Sequence, residues 1–455
     1  RKTKSFKDFL LGGGKIGAWM TAFSYGTAYF SAVLFIGFAG KIGWGFGLSA
    51  LWIALGNCLL GTLAVWLLLG NRIKQAASRY MVHTMPEFLA ARYSSPFLQL
   101  FTSVVFFILL IPYTSAVFMG LSYLFEVNFQ LPYHFVLLFM GCLTAIYLVL
   151  GGYKSMALVD IFFGVIMTFG VIILLLSTVH KAGGINQIMV TLHSINPKLI
   201  APVGPPGFWP LISLVTLTSV APFAMPQLVH KFYSIKDAKA VRLGTIASTI
   251  FALLVAGVAY FTGALTRVFL SPATHPQLFP GGSPNFDALM PEMLTSVIPG
   301  ALALVLLLLI LAASKSTLAA LVLISSATIT EDLYKGFLNP SASDRLLTRL
   351  MRFFSAFFIL LSMFLAFLKP AVIVTILAIS WGAIASVALG PFIWGLFNSR
   401  INKTGGLTGA IGGLGICLFL FFYWGPPMVP QSASIGMLAS VILVPIGSLF
   451  GKTRS

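Results

Sequence analysis

The chain has 455 residues, of which 58% are hydrophobic and 8% are charged, and its mean hydropathy is +0.98. This composition excludes a water-soluble globule and is typical of a multi-helix membrane protein. The formal net charge of +18 would suggest nucleic-acid binding in a soluble protein. Here the cations are explained as signals of membrane topology, so we predict no nucleic-acid partner.

Apolar stretches bounded by Gly, Pro and charged residues predict twelve membrane spans. Alternating their ends between two sides places 22 Lys and Arg residues on one side and five on the other. Because cytoplasmic loops carry the excess of Lys and Arg, we expect a multi-pass protein of the plasma (inner) membrane with both ends of this chain in the cytoplasm. Thr84 and Glu87, at capping-box spacing, predict a short cytoplasmic helix after the second span. The spans are 16–40, 48–69, 97–125, 133–150, 156–179, 208–229, 243–268, 299–325, 348–368, 372–397, 407–423 and 434–450.

The first and the sixth predicted spans contain residues that can interrupt a membrane helix. Small and polar residues are dense from Ser24 to Gly43 in the first span, and the sixth contains the three prolines Pro210, Pro222 and Pro226. Transporters built from inverted repeats bind their cargo where two helices at matching positions are broken. The simpler reading is that Gly and Ser allow close packing and that Pro only kinks the helix. The five-span separation and opposite direction of the two segments favour an inverted repeat.

Residues suited to catalysis or transition-metal binding do not form a recognisable pattern in the sequence. The three cysteines lie far apart inside apolar runs, and the six histidines fall at span ends or in loops without partners at ligand spacing. No His/acid or Ser/His/Asp constellation occurs in the spans. The sequence therefore predicts no disulfide framework, no metalloenzyme and no enzyme of another class.

Five segments, taken in chain order, resemble the sodium/solute symporter family. They are Lys4 to Gly12, Gly151 to Tyr153 near Asp160, Ala224 to Gln227, Ala312 to Thr317, and Ser325 to Tyr334. The family includes bacterial proline, pantothenate and sialic acid symporters and the animal sodium–glucose cotransporters. The resemblance implies an all-α membrane protein with a LeuT-type fold and, for this chain, no counterpart of the family's extra leading helix. We expect one transporter domain, 1–455, with a first repeat at 16–179, an inverted repeat at 208–397 and additional helices at 407–450.

The resemblance also implies a sodium site between the interruption of the first helix and the eighth helix. It places the backbone carbonyls of Thr27, Phe30 and Ala313 and the hydroxyls of Ser316 and Thr317 around the ion. A hard cation prefers such oxygen ligands, and an unwound helix supplies spare carbonyls. Residues Ala313, Ser316 and Thr317 also share one face of a helix. Na⁺ is therefore the expected coupling ion, and no other cofactor is predicted.

Lys315 is the main departure from the family pattern, together with Tyr29 in place of an acid and Phe163 in place of an amide. A Lys inside a membrane costs about 2.5–3.5 kcal/mol and usually has a partner. Asp160 is the one acid in a predicted core span, so we predict a Lys315–Asp160 interaction. Lys315 would then weaken sodium coupling or replace it, which leaves a proton-coupled or Na⁺-independent transporter as an alternative. In another reading, Lys315 extends to a water-filled vestibule without a coupling role.

Several side chains near the predicted interruptions are candidates for contact with the solute. They are Tyr29, Ser31, Tyr113, Thr114, Thr216, Thr218 and Trp381. The core has almost no amides or carboxylates, which favours an amino acid or monocarboxylate over a sugar, because helix N-termini can receive a carboxylate. We expect cation-coupled symport of a small solute by alternating access, with lipid around the protein and no obligatory protein partner. A channel is disfavoured because no filter or charged ring is present, and a membrane solute sensor is a more distant alternative.

Overall fold

The computed structural model describes residues 6–150, 153–297 and 300–451, and every regular element in these ranges is helical. The segment from Arg1 to Ser5 and the predicted Gly151–Gly152 motif lie outside the described residues. The helices are α1 (Phe6–Leu11), α2 (Ala18–Tyr29), α3 (Ala39–Phe46), α4 (Leu51–Cys58), α5 (Val65–Tyr80), α6 (Met85–Tyr93), α7 (Pro96–Phe129), α8 (Tyr133–Leu150), α9 (Tyr153–Lys181), α10 (Ile185–Ile195), α11 (Phe208–Val220), α12 (Pro226–Ser234), α13 (Ala238–Phe269), α14 (Phe286–Val297), α15 (Gly300–Ala327), α16 (Asp344–Leu368), α17 (Ile373–Phe397), α18 (Lys403–Trp424) and α19 (Val429–Leu449).

All twelve predicted apolar stretches are mainly helical over the described residues, and two of them contain an interruption. Ten helices there are long and apolar enough to cross a membrane, with the continuous stretch Val33–Tyr80 counted once. Part of the difference in number comes from the first predicted span, since its first half, α2, has 12 residues and ends at an interruption. Another part comes from α8, whose described apolar stretch is short.

Both predicted interruptions are present. In the first span, α2 ends at Tyr29, Phe30 is extended with φ −107° and ψ 104°, and the chain then re-enters a helix through the π-helical turn Val33–Phe38. In the sixth span, a 3₁₀ turn follows α11, Met225 is extended with φ −76° and ψ 117°, and Pro226 begins α12. Proline suits this first helical position because it has no N–H to leave unpaired. The prediction of a paired break is confirmed.

The predicted short helix after the second span is α6. The Thr84 side chain accepts a hydrogen bond from the Glu87 backbone N–H, and the Glu87 carboxylate accepts one from the Thr84 backbone N–H, so the capping box is complete. Both contacts satisfy N–H groups that the helix cannot pair internally. The capping-box prediction is confirmed.

The interrupted helices pack at the centre of the bundle. Helix α15 lies against α9, α7 and α2, and α13 lies against α2 and α3. Helices α18 and α19 pack on each other and on α17. The break in the first span therefore faces the eighth, as the cation-site hypothesis requires.

The α3–α13 contact relies on glycine. A Cβ atom added at Gly263 would overlap the Ala39 carbonyl oxygen, and one added at Gly43 would overlap the Gly263 backbone. We expect Gly263→Ala to lower the stability of the folded protein by about 1–3 kcal/mol, because the two backbones must separate. Gly257→Ala on the same helix is the control, since nothing lies within 4 Å of its added Cβ. Thermal unfolding of the purified variants measures the difference, and equal losses at both positions would contradict this account.

Asp287 in α14 binds the start of α17 and is a buried acid outside the candidate membrane spans. Its Oδ2 accepts a hydrogen bond of 3.1 Å from the Ile373 backbone N–H. Burial raises the pKa of Asp287 to about 6, against the opposing effects of that N–H and of Lys41. Because the pKa is raised in the folded state, protonated Asp287 contributes its full stabilisation of the fold below the unfolded pKa, near 4. That contribution is lost as the pH rises through about 6.

We therefore expect Asp287→Asn, which stays neutral and keeps an acceptor for Ile373, to stabilise the protein at pH 7.5. The gain should be up to about 3 kcal/mol, because one pKa unit corresponds to about 1.4 kcal/mol. Thermal unfolding at several pH values checks this. The difference from the parent protein should shrink below pH 6 and vanish near pH 4, whereas a constant difference across pH would refute it.

Candidate functional site

Three backbone carbonyls converge on one hydroxyl where α2 meets α15. The Thr317 Oγ1 lies 3.0 Å from the carbonyl oxygen of Thr27, 3.3 Å from that of Ala28 and 3.1 Å from that of Ala313. The Thr317 side chain is fully buried. A hydroxyl has one proton to donate, so this cluster contains more acceptors than donors. Neutral oxygens in this arrangement fit a hard monovalent cation, which can interact with several of these acceptors at once.

Ser316 and Ser314 hold the broken helix by its side chain and its backbone. The Ser316 Oγ lies 2.7 Å from the Thr27 Oγ1. We expected this hydroxyl to point towards the carbonyls of Thr27 and Phe30, and it contacts the Thr27 side chain instead. The Ser314 Oγ accepts a hydrogen bond of 3.2 Å from the Ala32 backbone N–H, just after the break. Sequence analysis did not identify Ser314, although it lies in the most family-specific segment. Together with Thr317, these residues attach both sides of the break to α15.

The structure does not bring Lys315 and Asp160 into the predicted direct contact. The Lys315 Nζ donates to the Thr144 Oγ1 at 2.8 Å and to the Met140 carbonyl at 3.4 Å, both on α8. Because residues of one helix diverge by 100° per position, Lys315 leaves α15 on the side opposite the hydroxyl pair. The expectation that it points away from the cation site is confirmed, but that direction leads to α8 and not to Asp160.

Asp160 is connected instead, through the Ser24 hydroxyl, to a second buried Lys, Lys231 of α12. The Asp160 Oδ2 accepts a 2.5 Å hydrogen bond from the Ser24 hydroxyl, and the Lys231 Nζ donates to the Ser24 Oγ at 2.8 Å. Lys231 is 1% exposed and its ammonium lies 5.2 Å from the centre of the Tyr153 ring. Ser316 lies beside the same carboxylate, so this bridged ion pair adjoins the cation cluster.

Sequence analysis missed Lys231 because it ended the sixth span at 229 and counted Lys231 among the topology cations. In the structure α12 continues to Ser234, and all nine of its residues are buried. The one available signal was that Lys231 lies within two helical turns of the break at Met225.

A small cavity of about 30 Å³, part of it open to the outside, lies at the first break. The predicted residues Tyr29, Ser31, Tyr113, Thr218 and Trp381 line it, together with Asn57 and Tyr260, which the sequence analysis did not select. Two predicted residues do not line it, Thr114 and Thr216. The Thr114 hydroxyl donates to the Leu110 carbonyl of its own helix. This cavity is much smaller than the range of about 300–1,000 Å³ for small-molecule sites, so its lining must move apart to admit a solute.

Unpaired polar groups surround this cavity, although none of the side chains that line it is charged. The Trp381 indole N–H has no hydrogen-bond partner among the described residues, and neither amide atom of the fully buried Gln227 has one. Both side chains lie near the Tyr113 hydroxyl. With Asn57 in the lining, two amides are available, so the core is less poor in amides than its sequence indicated. A ligand that forms hydrogen bonds with these buried groups removes the free-energy cost of leaving them unpaired.

Comparison with known proteins adds independent information. Residues 9–413 match the model of the sodium:solute symporter family. A sodium/pantothenate symporter of Escherichia coli is 30% identical, over 100% of this chain and 92% of the relative. A high-affinity proline transporter of Bacillus subtilis is 27% identical, over 91% of this chain and 86% of the relative.

Solved structures show the same fold. A substrate-bound, outward-open Na⁺-coupled sialic acid symporter superposes with a TM-score of 0.81 at 18% identity, covering 100% of this chain and 94% of that one. Mhp1, a nucleobase-cation-symport-1 transporter, gives 0.61 at 12% identity, covering 100% and 97%. The predicted LeuT-type fold is confirmed. With the family model matching most of its length, the chain belongs to the sodium:solute symporter family.

Proposed function

We propose that the protein carries a small organic solute with a carboxylate group, either an amino acid or another monocarboxylate, together with Na⁺ by alternating access. The observation that carries this proposal is that one break serves two sites. Thr27, on its first side, contacts the oxygen cluster on α15, and Ser31, four residues on, lines the cavity. Relatives named for pantothenate and proline transport support this solute class.

Coupling follows from the shared backbone. A Na⁺ ion held by Thr27, Ala313 and Thr317 fixes the end of α2 against α15. That contact sets the position of Ser31 and Tyr29 at the cavity. Binding of the ion and of the solute would then strengthen each other by the same factor, as linkage requires.

The cavity chemistry favours a carboxylate received by dipoles. With no charged side chain in the lining, the neutral groups there, among them the unpaired Trp381 N–H, and the positive N-terminus of a half-helix are the partners for a carboxylate. The cation excess of one side supports a cytoplasmic position for both ends of this chain, and the two breaks support repeats at 16–179 and 208–397.

Uptake by purified protein in liposomes tests the proposal. A panel of amino acids, monocarboxylates and sugars is offered under an inward Na⁺ gradient and, separately, under a proton gradient. We expect saturable, Na⁺-driven uptake of at least one carboxylate and no stimulation by the proton gradient. Uptake driven by protons alone would support the alternative derived from Lys315, and Na⁺-driven uptake confined to sugars would contradict the proposed solute class.

Trp381 provides a variant at the cavity. We expect Trp381→Phe to raise the KM for the carboxylate solute about tenfold, because a buried hydrogen bond to a charged group contributes about 1.5–3 kcal/mol. Trp66→Phe is the matched control, since it removes another buried, unpaired indole N–H outside the cavity. Equal effects of both changes on KM would show that Trp381 acts through packing only.

A further inference from the structure

His83, Glu87 and Glu331 lie together at one end of the bundle, away from the cation cluster and the cavity. One ligand atom from each residue lies within 4.8 Å of the other two, and His83 Nδ1 is 3.5 Å from Glu331 Oε1. His83 follows α5, Glu87 is in the first turn of α6, and Glu331 is in the π-helical segment Thr328–Leu338 that continues α15. Three separate elements thus meet at this cluster.

The cluster has more carboxyl groups than cationic side chains in contact with them. Asp332 adds a third carboxyl group, which accepts from the Thr84 hydroxyl, while Lys335 is the one Lys in hydrogen-bond contact, 2.6 Å from Glu331 Oε1. The Glu331 side chain is 1% exposed and that of Asp332 is fully buried. Neither Glu331 Oε2 nor Asp332 Oδ2 has a hydrogen-bond partner among the described residues. Buried carboxyl oxygens without partners are costly, so a cation bound here would stabilise the arrangement.

We propose that His83, Glu87 and Glu331 bind a divalent transition-metal ion of the Zn²⁺ type. One imidazole nitrogen with two carboxylates is a donor set suited to Zn²⁺ and related ions, whereas Ca²⁺ and Mg²⁺ prefer oxygen alone. Lys335 is 35% exposed, so its ammonium can move into water when the ion replaces it. Water would complete the coordination.

The ion would tie α6 and the turn before it to the end of the helix that carries Ser316 and Thr317. A metal ion that binds only the folded state stabilises it, and the stabilisation rises with the logarithm of the ion concentration once that exceeds Kd. His83 and Glu331 are 248 positions apart in the sequence, so no local spacing of residues indicates that they lie together.

Zn²⁺ binding to the metal-stripped full chain in detergent tests the proposal without requiring transport. We expect one saturable Zn²⁺ per chain by equilibrium dialysis, a rise in thermal unfolding temperature with Zn²⁺, and no such rise with Ca²⁺. His83→Ala should weaken Zn²⁺ binding at least about tenfold, as loss of a ligand does. His193→Ala, at an exposed position on α10, is the control and should bind like the parent.

The Lys335→Met variant is expected to change Zn²⁺ affinity in the opposite direction. Removing the competing ammonium should tighten Zn²⁺ binding and enlarge the Zn²⁺-dependent rise in unfolding temperature, an effect that a merely structural Lys335 would not produce. The proposal is overturned if no saturable binding near one Zn²⁺ per chain is found. It is equally overturned if His83→Ala and His193→Ala bind Zn²⁺ alike.

Discussion

Thr317→Val is expected to abolish Na⁺-dependent uptake at ordinary Na⁺ concentrations while leaving the helices folded. Its hydroxyl is the group on which the Thr27, Ala28 and Ala313 carbonyls converge, and Val keeps the shape without the oxygen. Loss of one interaction with a charged ligand costs about 1.5–3 kcal/mol. The Na⁺ concentration for half-maximal uptake should rise at least about tenfold, since 1.4 kcal/mol is a factor of ten.

Two further variants separate ligation from packing. Thr317→Ser keeps the oxygen and should retain most of the Na⁺ affinity. Ser326→Ala removes another buried hydroxyl of α15, one that contacts Ser355 and lies outside the cluster, and should leave the Na⁺ dependence unchanged. If Thr317→Val takes up solute with the Na⁺ dependence of the parent, the cation binds elsewhere.

The sequence was sufficient for the features that depend on local composition. Long apolar runs defined the helices, and Pro222 and Pro226 marked the break of the sixth span because proline cannot continue a helix as a donor. The capping box of Thr84 and Glu87 has fixed spacing, and the structure contains it. The hydroxyl of Thr317 could be placed near Thr27 through family resemblance, since that motif specifies both sides of the contact.

Pairing of buried charges depended on information that local sequence does not contain. The rotation of α15 sends Lys315 towards Thr144, and only the packed bundle shows which neighbour lies there. Lys231 has the composition of a loop cation, yet α12 carries it into the core beside Ser24. The amides Asn57 and Gln227 do not belong to any recognisable sequence pattern. Only the structure shows that Asn57 lines the cavity and that Gln227 lies near Tyr113.

Asp160 and Lys231 provide the second large effect, expected in a double-mutant cycle. Asp160→Asn alone leaves the Lys231 ammonium buried without its counter-charge. Lys231→Met alone leaves the Asp160 carboxylate buried without its counter-charge. Removing one partner of a buried ion pair costs about 3–5 kcal/mol. The double variant removes both charges and should recover most of the thermal stability, which gives a strongly favourable coupling energy.

Lys315→Met is the matched control for this cycle, because Lys315 is also a buried Lys of the bundle but its partners are the neutral Thr144 hydroxyl and Met140 carbonyl. Its effect should add to that of Asp160→Asn without coupling, as expected for residues with no shared partner. Unfolding temperatures of the five variants and the parent give both coupling energies. A larger coupling of Asp160 to Lys315 than to Lys231 would restore the pairing predicted from sequence, and additivity in both cycles would show that Ser24 does not bridge a charge pair. In the expected case Asp160 is already neutralised by Lys231, so the cation cluster beside Ser316 is left free to attract Na⁺ through neutral oxygens alone.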